Sequence, residues 1–387
     1  MSGARSLVIV GGGPAGLAAA RGYREAGGDG EVTLLTGEAD APYARPALSK
    51  DYLRGDAEAG DIALEGEDWF AEQEVTLRRE TPVEGLDTAT RTVALAGGET
   101  LGYDACVLAT GSESIRLPVP GADDPEVRTV RSLADARNLR GRAEAAHSAI
   151  VVGSGFIGCE AAASLAMRGL RVVLVSDEHV PHAARLGVEA GRRIASWLVE
   201  LGVALRLGAP VEAIEPGLVR VPGKAPARAD LVLLASGVRP RSGLAEAAGL
   251  ELDAGRVVTD EHMRTSAEGV YAVGDLALAR NAAAGRTLKV EHWGEALEHG
   301  KIAGTTAAGG EASWATAPGF WSTIGTRTLK HVAWGDGFDT ARLIDHPGGA
   351  FTVWYGAQGT AVGVLTHGCD ADHERGRGLI EAGRPLP

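Results

Sequence analysis

This sequence is poor in cysteine, poor in aromatic residues and without any long apolar run. Its three cysteines, Cys106, Cys159 and Cys369, form neither a Cys-x-x-Cys pair nor a zinc pattern. A redox-active dithiol is excluded, and buried or inert thiols are expected. No apolar stretch reaches the roughly 18 residues that a membrane helix needs. The start, Met1 to Val10, is too short for a signal peptide and leads straight into a glycine turn, so it reads as a first strand. A cytoplasmic protein without membrane association is expected. The ten histidines are scattered, and His179 and His182 have no ligand cluster beside them, so no metal is expected. Positive charge is also in deficit. The net charge of −13 disfavours nonspecific binding to nucleic acid or anionic membranes.

What is present is ample for buried cores. The chain has 387 residues, 45% hydrophobic and 23% charged, which suggests two or three domains. Short β-branched runs alternate with Ala-rich helical stretches, the mark of α/β units on parallel sheets. One strand–turn–helix unit occurs twice. Leu7 to Val10 precedes Gly11-Gly12-Gly13-Pro14-Ala15-Gly16, and Ile150 to Val152 precedes Gly153-Ser154-Gly155-Phe156-Ile157-Gly158. After residue 311 the chain becomes aromatic-rich, with an alternating strand at Phe351 to Tyr355. Gly348-Gly349 and Gln358-Gly359 read as hairpin turns. A short helix is expected around Asp372 to Ala382.

Each glycine of the repeated turn has a physical task. Gly11 and Gly153 permit a tight turn after the strand. Gly13 and Gly155 let the backbone approach a pyrophosphate. Gly16 and Gly158 let helix and strand pack closely. The helix amino terminus then offers free N–H groups and a partial positive charge. An acid about 20 residues on, after a second strand, completes the pattern. Glu38 follows Val32 to Leu35, and Asp177 and Glu178 follow Val172 to Val175. A carboxylate there accepts hydrogen bonds from ribose hydroxyls and repels a 2′-phosphate. The second unit is therefore expected to prefer NADH over NADPH. Solvated loop charge is the alternative for these acids, and the strand–turn–helix context disfavours it for Glu38 and Glu178.

With both turns placed, the chain resembles the ferredoxin-reductase and apoptosis-inducing-factor branch of the FAD-dependent pyridine nucleotide-disulfide oxidoreductases. Pro42-Tyr43-Ala44-Arg45-Pro46-Ala47-Leu48-Ser49-Lys50 is similar to that branch's P-Y-x-R-P-x-L-S-K. The resemblance implies that Arg45 lies at the FAD pyrophosphate and Lys50 near the flavin. A forked guanidinium suits phosphate, and an ammonium suits negative charge on a reduced flavin. Ala109-Thr110-Gly111 resembles the crossover out of the FAD domain, with Arg116 standing near the family's arginine position. Ala235-Ser236-Gly237 resembles the matching return. Val273-Gly274-Asp275 resembles the second FAD motif, with Asp275 an acceptor for a ribitol hydroxyl. Glu291-His292-Trp293 is similar to the start of a helix that reaches the flavin, and Phe320-Trp321-Ser322 to the opening of the family's third domain. Trp293 or Trp321 would border the flavin ring. Ala15 and Val83 join the expected FAD contacts, and Ile157 and Gly237 the expected NAD contacts. Glu160 is expected to pair with Lys50, and Phe156 to pack on the nicotinamide side.

The implied fold is α/β, with two Rossmann-type domains and a small C-terminal α+β domain. Residues 1–114 with 239–311 would bind FAD, residues 115–238 would bind NAD, and residues 312–387 would form the third domain. The implied activity is that of an NADH:ferredoxin or rubredoxin reductase, monomeric or homodimeric, feeding an oxygenase. Two other readings stay open: an NADH oxidase or quinone reductase, and an NADH-sensing flavoprotein like the apoptosis-inducing-factor relatives.

Overall fold

The computed structural model describes residues 6–387, so Met1 to Arg5 of the expected opening segment lie outside the described residues. The first strand, Leu7–Val10, is buried along its whole length. It lies at the centre of a five-stranded parallel sheet, between Ala105–Leu108 and Val32–Leu35. Val75–Arg78 and Val270–Ala272 form the two edges. A parallel sheet covered on both faces calls for continuous apolar runs rather than alternation, and the three inner strands, buried throughout, supply them.

The second repeat builds a second parallel sheet. Ser148–Val152 lies between Arg171–Val175 and Leu231–Leu234, with Ala204–Arg206 and Val127–Arg128 outside. The chain leaves the first sheet through Ser112–Ser114 and returns through Val238–Pro240, and these two short strands pair antiparallel. Both crossings therefore run side by side between the sheets. After the return, helix Trp293–Ala307 packs against helix Pro14–Glu25 at backbone distance. A Cβ on Gly300 would stand 2.1 Å from the Ala15 carbonyl oxygen, and one on Gly304 would stand 2.0 Å from that of Ala19. This contact brings His292 and Trp293, from late in the chain, to the first glycine turn.

The C-terminal part is an antiparallel five-stranded sheet backed by helix Asp370–Glu381. Gln358 and Gly359, with φ of 51° and 79°, form the expected turn between Phe351–Ala357 and Thr360–His367. The alternation expected of Phe351 to Tyr355 is not a buried–exposed alternation, because both faces are covered. Phe351, Val353 and Tyr355 pack into a core shared with helix Ala183–Glu200, while Trp354 packs towards Ile380 of the final helix. The Tyr355 hydroxyl donates to the Leu186 carbonyl at 2.8 Å. The third sheet is thus welded to the second repeat. The architecture is the α/β class with two Rossmann-type sheets and a C-terminal α+β unit.

Candidate active site

The two glycine turns are built alike. Gly11 and Gly153 have φ of +123° and +108°, a region glycine enters without penalty. A Cβ on Gly11 would lie 2.2 Å from the Ala109 carbonyl oxygen, and one on Gly153 would lie 2.3 Å from that of Ala235. Gly16 and Gly158 are equally constrained, since a Cβ on either would lie 2.0 Å from the carbonyl oxygen of its turn's first glycine. The middle glycines differ. A Cβ on Gly13 would meet only the Arg45 side chain at 4.0 Å, and one on Gly155 would meet nothing within 4 Å. Packing within the protein demands the outer glycines but not the middle ones. A middle glycine leaves the helix amino terminus open to a phosphate group, and both sites fit a dinucleotide on that ground.

The first turn opens into a cavity of about 980 Å³. That is the upper end of the roughly 300–1,000 Å³ found for small-molecule and cofactor sites. Its walls come from far-apart stretches of the chain, including Gly11 to Ala15, Val83, Ala109 to Gly111, Gly274-Asp275 and Glu291 to Trp293. Glu38 and Arg45 form an ion pair at 2.6 Å on one side. Tyr43 donates to Glu38 at 2.5 Å, and Arg45 reaches both the Tyr43 oxygen at 2.9 Å and the Arg131 carbonyl at 2.8 Å. Burial pushes the Tyr43 phenol well above its ordinary pKa, so it stays a donor. Burial works against the charge on Arg45, but Tyr43 and Glu38 outweigh it and hold its pKa above the usual value. A permanent cation therefore stands in the cavity wall beside Gly13.

Lys50 and Glu160 also line the cavity. The Lys50 ammonium meets Glu160 at 2.6 Å, with both side chains nearly buried. Glu160 also accepts from Ser49 at 2.6 Å and from Ser322 at 2.7 Å. One carboxylate thus ties the loop before residue 51, the second Rossmann helix and the C-terminal sheet together. Three short bonds fix its orientation, and Lys50 is held where its charge faces the cavity.

Asp275 accepts from Ser112 at 2.5 Å and from Arg131 at 2.8 Å. Arg116, expected at the FAD, does not line the cavity. It donates to the carbonyls of Ala122 and Val127, at 2.6 and 3.3 Å, and is spent on fixing a loop of the second repeat. Arg131 takes the place at the cavity wall that Arg116 does not. Arg131 directly precedes a helix capped by Ser132 and Asp135, whose side chains exchange hydrogen bonds with each other's backbone. That S-x-x-D signal was legible in the sequence and would have placed Arg131 at a helix entry. Arg185 and Arg241 also line the cavity without any motif pointing to them.

Phe156, Ile157 and Trp321 line the mouth. The Phe156 ring lies 4.4 Å from Phe320 and 4.0 Å from His182, and Arg185 sits over it at 5.7 Å. Trp293 and Trp321 both line the cavity, and Trp321 is 44% exposed. Glu178 stands beside the second turn, where it accepts from Ser154 at 3.0 Å and from the backbone N–H groups of His182 and Ala184. Gly237, with φ of +100°, turns the chain at the return crossing and lies outside the cavity lining.

Residues 5–300 match the pyridine nucleotide-disulphide oxidoreductase family. The chain belongs to that family. Rhodocoxin reductase of Rhodococcus erythropolis is 31% identical to this oxidoreductase over 389 residues, 98% of this chain and 90% of that one. The ferredoxin–NAD(+) reductase component of the anthranilate 1,2-dioxygenase system of Burkholderia cepacia is 31% identical, over 97% and 94% of the two chains. Among solved structures, a chain of the covalent putidaredoxin reductase–putidaredoxin complex superposes with a TM-score of 0.92 at 30% identity, over 98% and 94%. FAD and NAD(H) are the cofactors of this family.

No cysteine lines the cavity of this oxidoreductase among the described residues. Cys106 and Cys159 are wholly buried. Burial pushes the Cys106 thiol up to about 12, and burial, followed by Glu160 and Glu178, raises Cys159 as well. A thiol so far from ionising at neutral pH is a poor nucleophile.

Proposed function

We propose that this chain takes electrons from NADH onto a bound FAD and delivers them singly to a small iron–sulfur protein, a ferredoxin or a rubredoxin. The observation that carries the reading is the composition of the cavity wall. It joins an anchored cation, Lys50 on Glu160, to an aromatic mouth of Phe156, Phe320 and Trp321, with no thiol for disulfide chemistry. The relatives named above as ferredoxin reductases support the choice of acceptor.

When bound, FAD supplies two-electron acceptance with one-electron release. The protein's work is to bind, orient and tune. Gly11, Gly13 and Gly16 with Arg45 would hold the pyrophosphate, and Asp275, set by Arg131 and Ser112, would hold the ribityl chain. Lys50 would stabilise negative charge in the cavity on reduction. Gly153, Gly155 and Gly158 would receive the NADH pyrophosphate, and Glu178 the adenosine ribose, which repels a 2′-phosphate. In this reading residues 1–114 and 239–311 form the FAD-binding unit, 115–238 the NAD-binding unit and 312–387 the third. The three free thiols support a reducing, cytoplasmic setting.

Anaerobic NADH oxidation with cytochrome c as terminal acceptor tests the reading. Strong dependence on an added [2Fe–2S] ferredoxin or a rubredoxin is expected. Rapid flavin reduction without such dependence would transfer the assignment to a small-molecule acceptor or an NADH-sensing role.

A further inference from the structure

Arg256 is 1% exposed, on a strand, Arg256–Thr259, that no sequence motif marks. Burying a guanidinium is costly unless partners meet it. The partners here are specific. Nη1 donates to the backbone carbonyl of Asp275, and Nη2 pairs with the Glu291 carboxylate. Asp275 and Glu291 both line the cavity, from two separate stretches of chain. The Asp275 carboxylate turns the other way, to Ser112 and Arg131. One buried cation behind the wall therefore joins two segments of it.

Among the described residues Glu291 has one other cation nearby, Lys289 at 3.9 Å, whose side chain is 64% exposed. An exposed ammonium at that distance is screened by water and neutralises little. Arg256 supplies the main compensation for Glu291. Reduction adds negative charge to the cavity, and an uncompensated carboxylate in the wall would oppose it.

We propose that Arg256 is a positioning residue that neutralises Glu291 and pins the Asp275 backbone, and so raises the reduction potential of the flavin. This rests on the FAD-reductase reading. The test is the flavin midpoint potential of the purified holoprotein, read from its absorbance against reference dyes, for the wild type and three variants. Arg256→Met leaves Glu291 unpaired, and the potential should fall by about 30 mV, a change of about tenfold for a two-electron couple. Glu291→Gln should shift it the opposite way. The Arg256→Met/Glu291→Gln double variant, which leaves no orphan charge, should return near the wild-type value. If Arg256→Met does not fold, Glu291→Gln and the double variant decide. Potentials equal to wild type in flavin-replete Glu291→Gln protein would overturn the proposal. Absence of flavin from the wild-type protein would instead overturn the FAD reading, and this inference with it.

Discussion

Lys50 and Glu160 are 110 positions apart in the chain and 2.6 Å apart in the fold. Their pairing couples the first Rossmann unit to helix Phe156–Met167, which follows the second glycine turn. It puts a fixed positive charge in the cavity wall at the junction of the two units. Lys50→Ala should slow flavin reduction by NADH about 100-fold, with little loss of bound flavin. Anaerobic stopped-flow reduction monitors this directly, and an unchanged rate would remove Lys50 from the chemistry.

Glu160 carries a structural load as well. Glu160→Ala leaves Ser49, Lys50 and Ser322 without their shared acceptor, one of them a nearly buried cation. Loss of one partner of such a pair costs about 3–5 kcal/mol. Urea unfolding should report a drop of that order, and a loss below about 1 kcal/mol would show that the interface relaxes around it.

Asp275→Ala should give protein purified with little flavin. The variant loses the acceptor of both Ser112 and Arg131 and leaves the Arg131 guanidinium unpaired at the cavity. The flavin-to-protein absorbance ratio measures occupancy. A ratio equal to that of the wild type would contradict the place given to Asp275.

Glu178→Ala should weaken NADH by about tenfold, the worth of a hydrogen bond to a charged group, and NADPH by less. Steady-state KM values for the two nucleotides separate the outcomes. Disruption of the Ser154 and His182 contacts alone would raise both equally.

Three histidines make the fold acid-sensitive. Burial holds His182, His299 and His331 neutral, with pKa values pushed down to about 3, 4 and 3. In the unfolded chain they titrate near 6.5. As the pH falls below about 6.5, the unfolded state takes up protons that the native state refuses, so stability declines. Each residue contributes about 1.4 kcal/mol per pH unit to that slope. Among the described residues His299 has no hydrogen-bond partner on either ring nitrogen, and it packs on Trp314 at 4.5 Å. His299→Leu should flatten the stability profile between pH 6 and pH 5 by one residue's share. A profile parallel to that of the wild type would show that His299 is not buried neutral.

The sequence by itself determined the repeated units, the family and the chemistry of the glycine turns. Those features are local. A strand, a left-handed glycine and a helix amino terminus are specified by a few consecutive residues, so Gly11 and Gly153 can be read without knowing the rest of the chain. What only the tertiary structure decided lies between distant segments. Arg116 stands one residue past the position the family suggests, which Ile115 occupies, and carbonyls of Ala122 and Val127 claim it, while Arg131 reaches Asp275 from 144 positions away. Arg256 carries no motif, because its role exists only where its strand passes behind Asp275 and Glu291. The strand around Phe351 to Tyr355 reads as alternating and is buried on both faces, since helix Ala183–Glu200 covers one face and the final helix, with Ile380, the other. Short-range sterics fix a turn. Which guanidinium meets which carboxylate is fixed by how whole sheets and helices pack, and that depends on all of them at once.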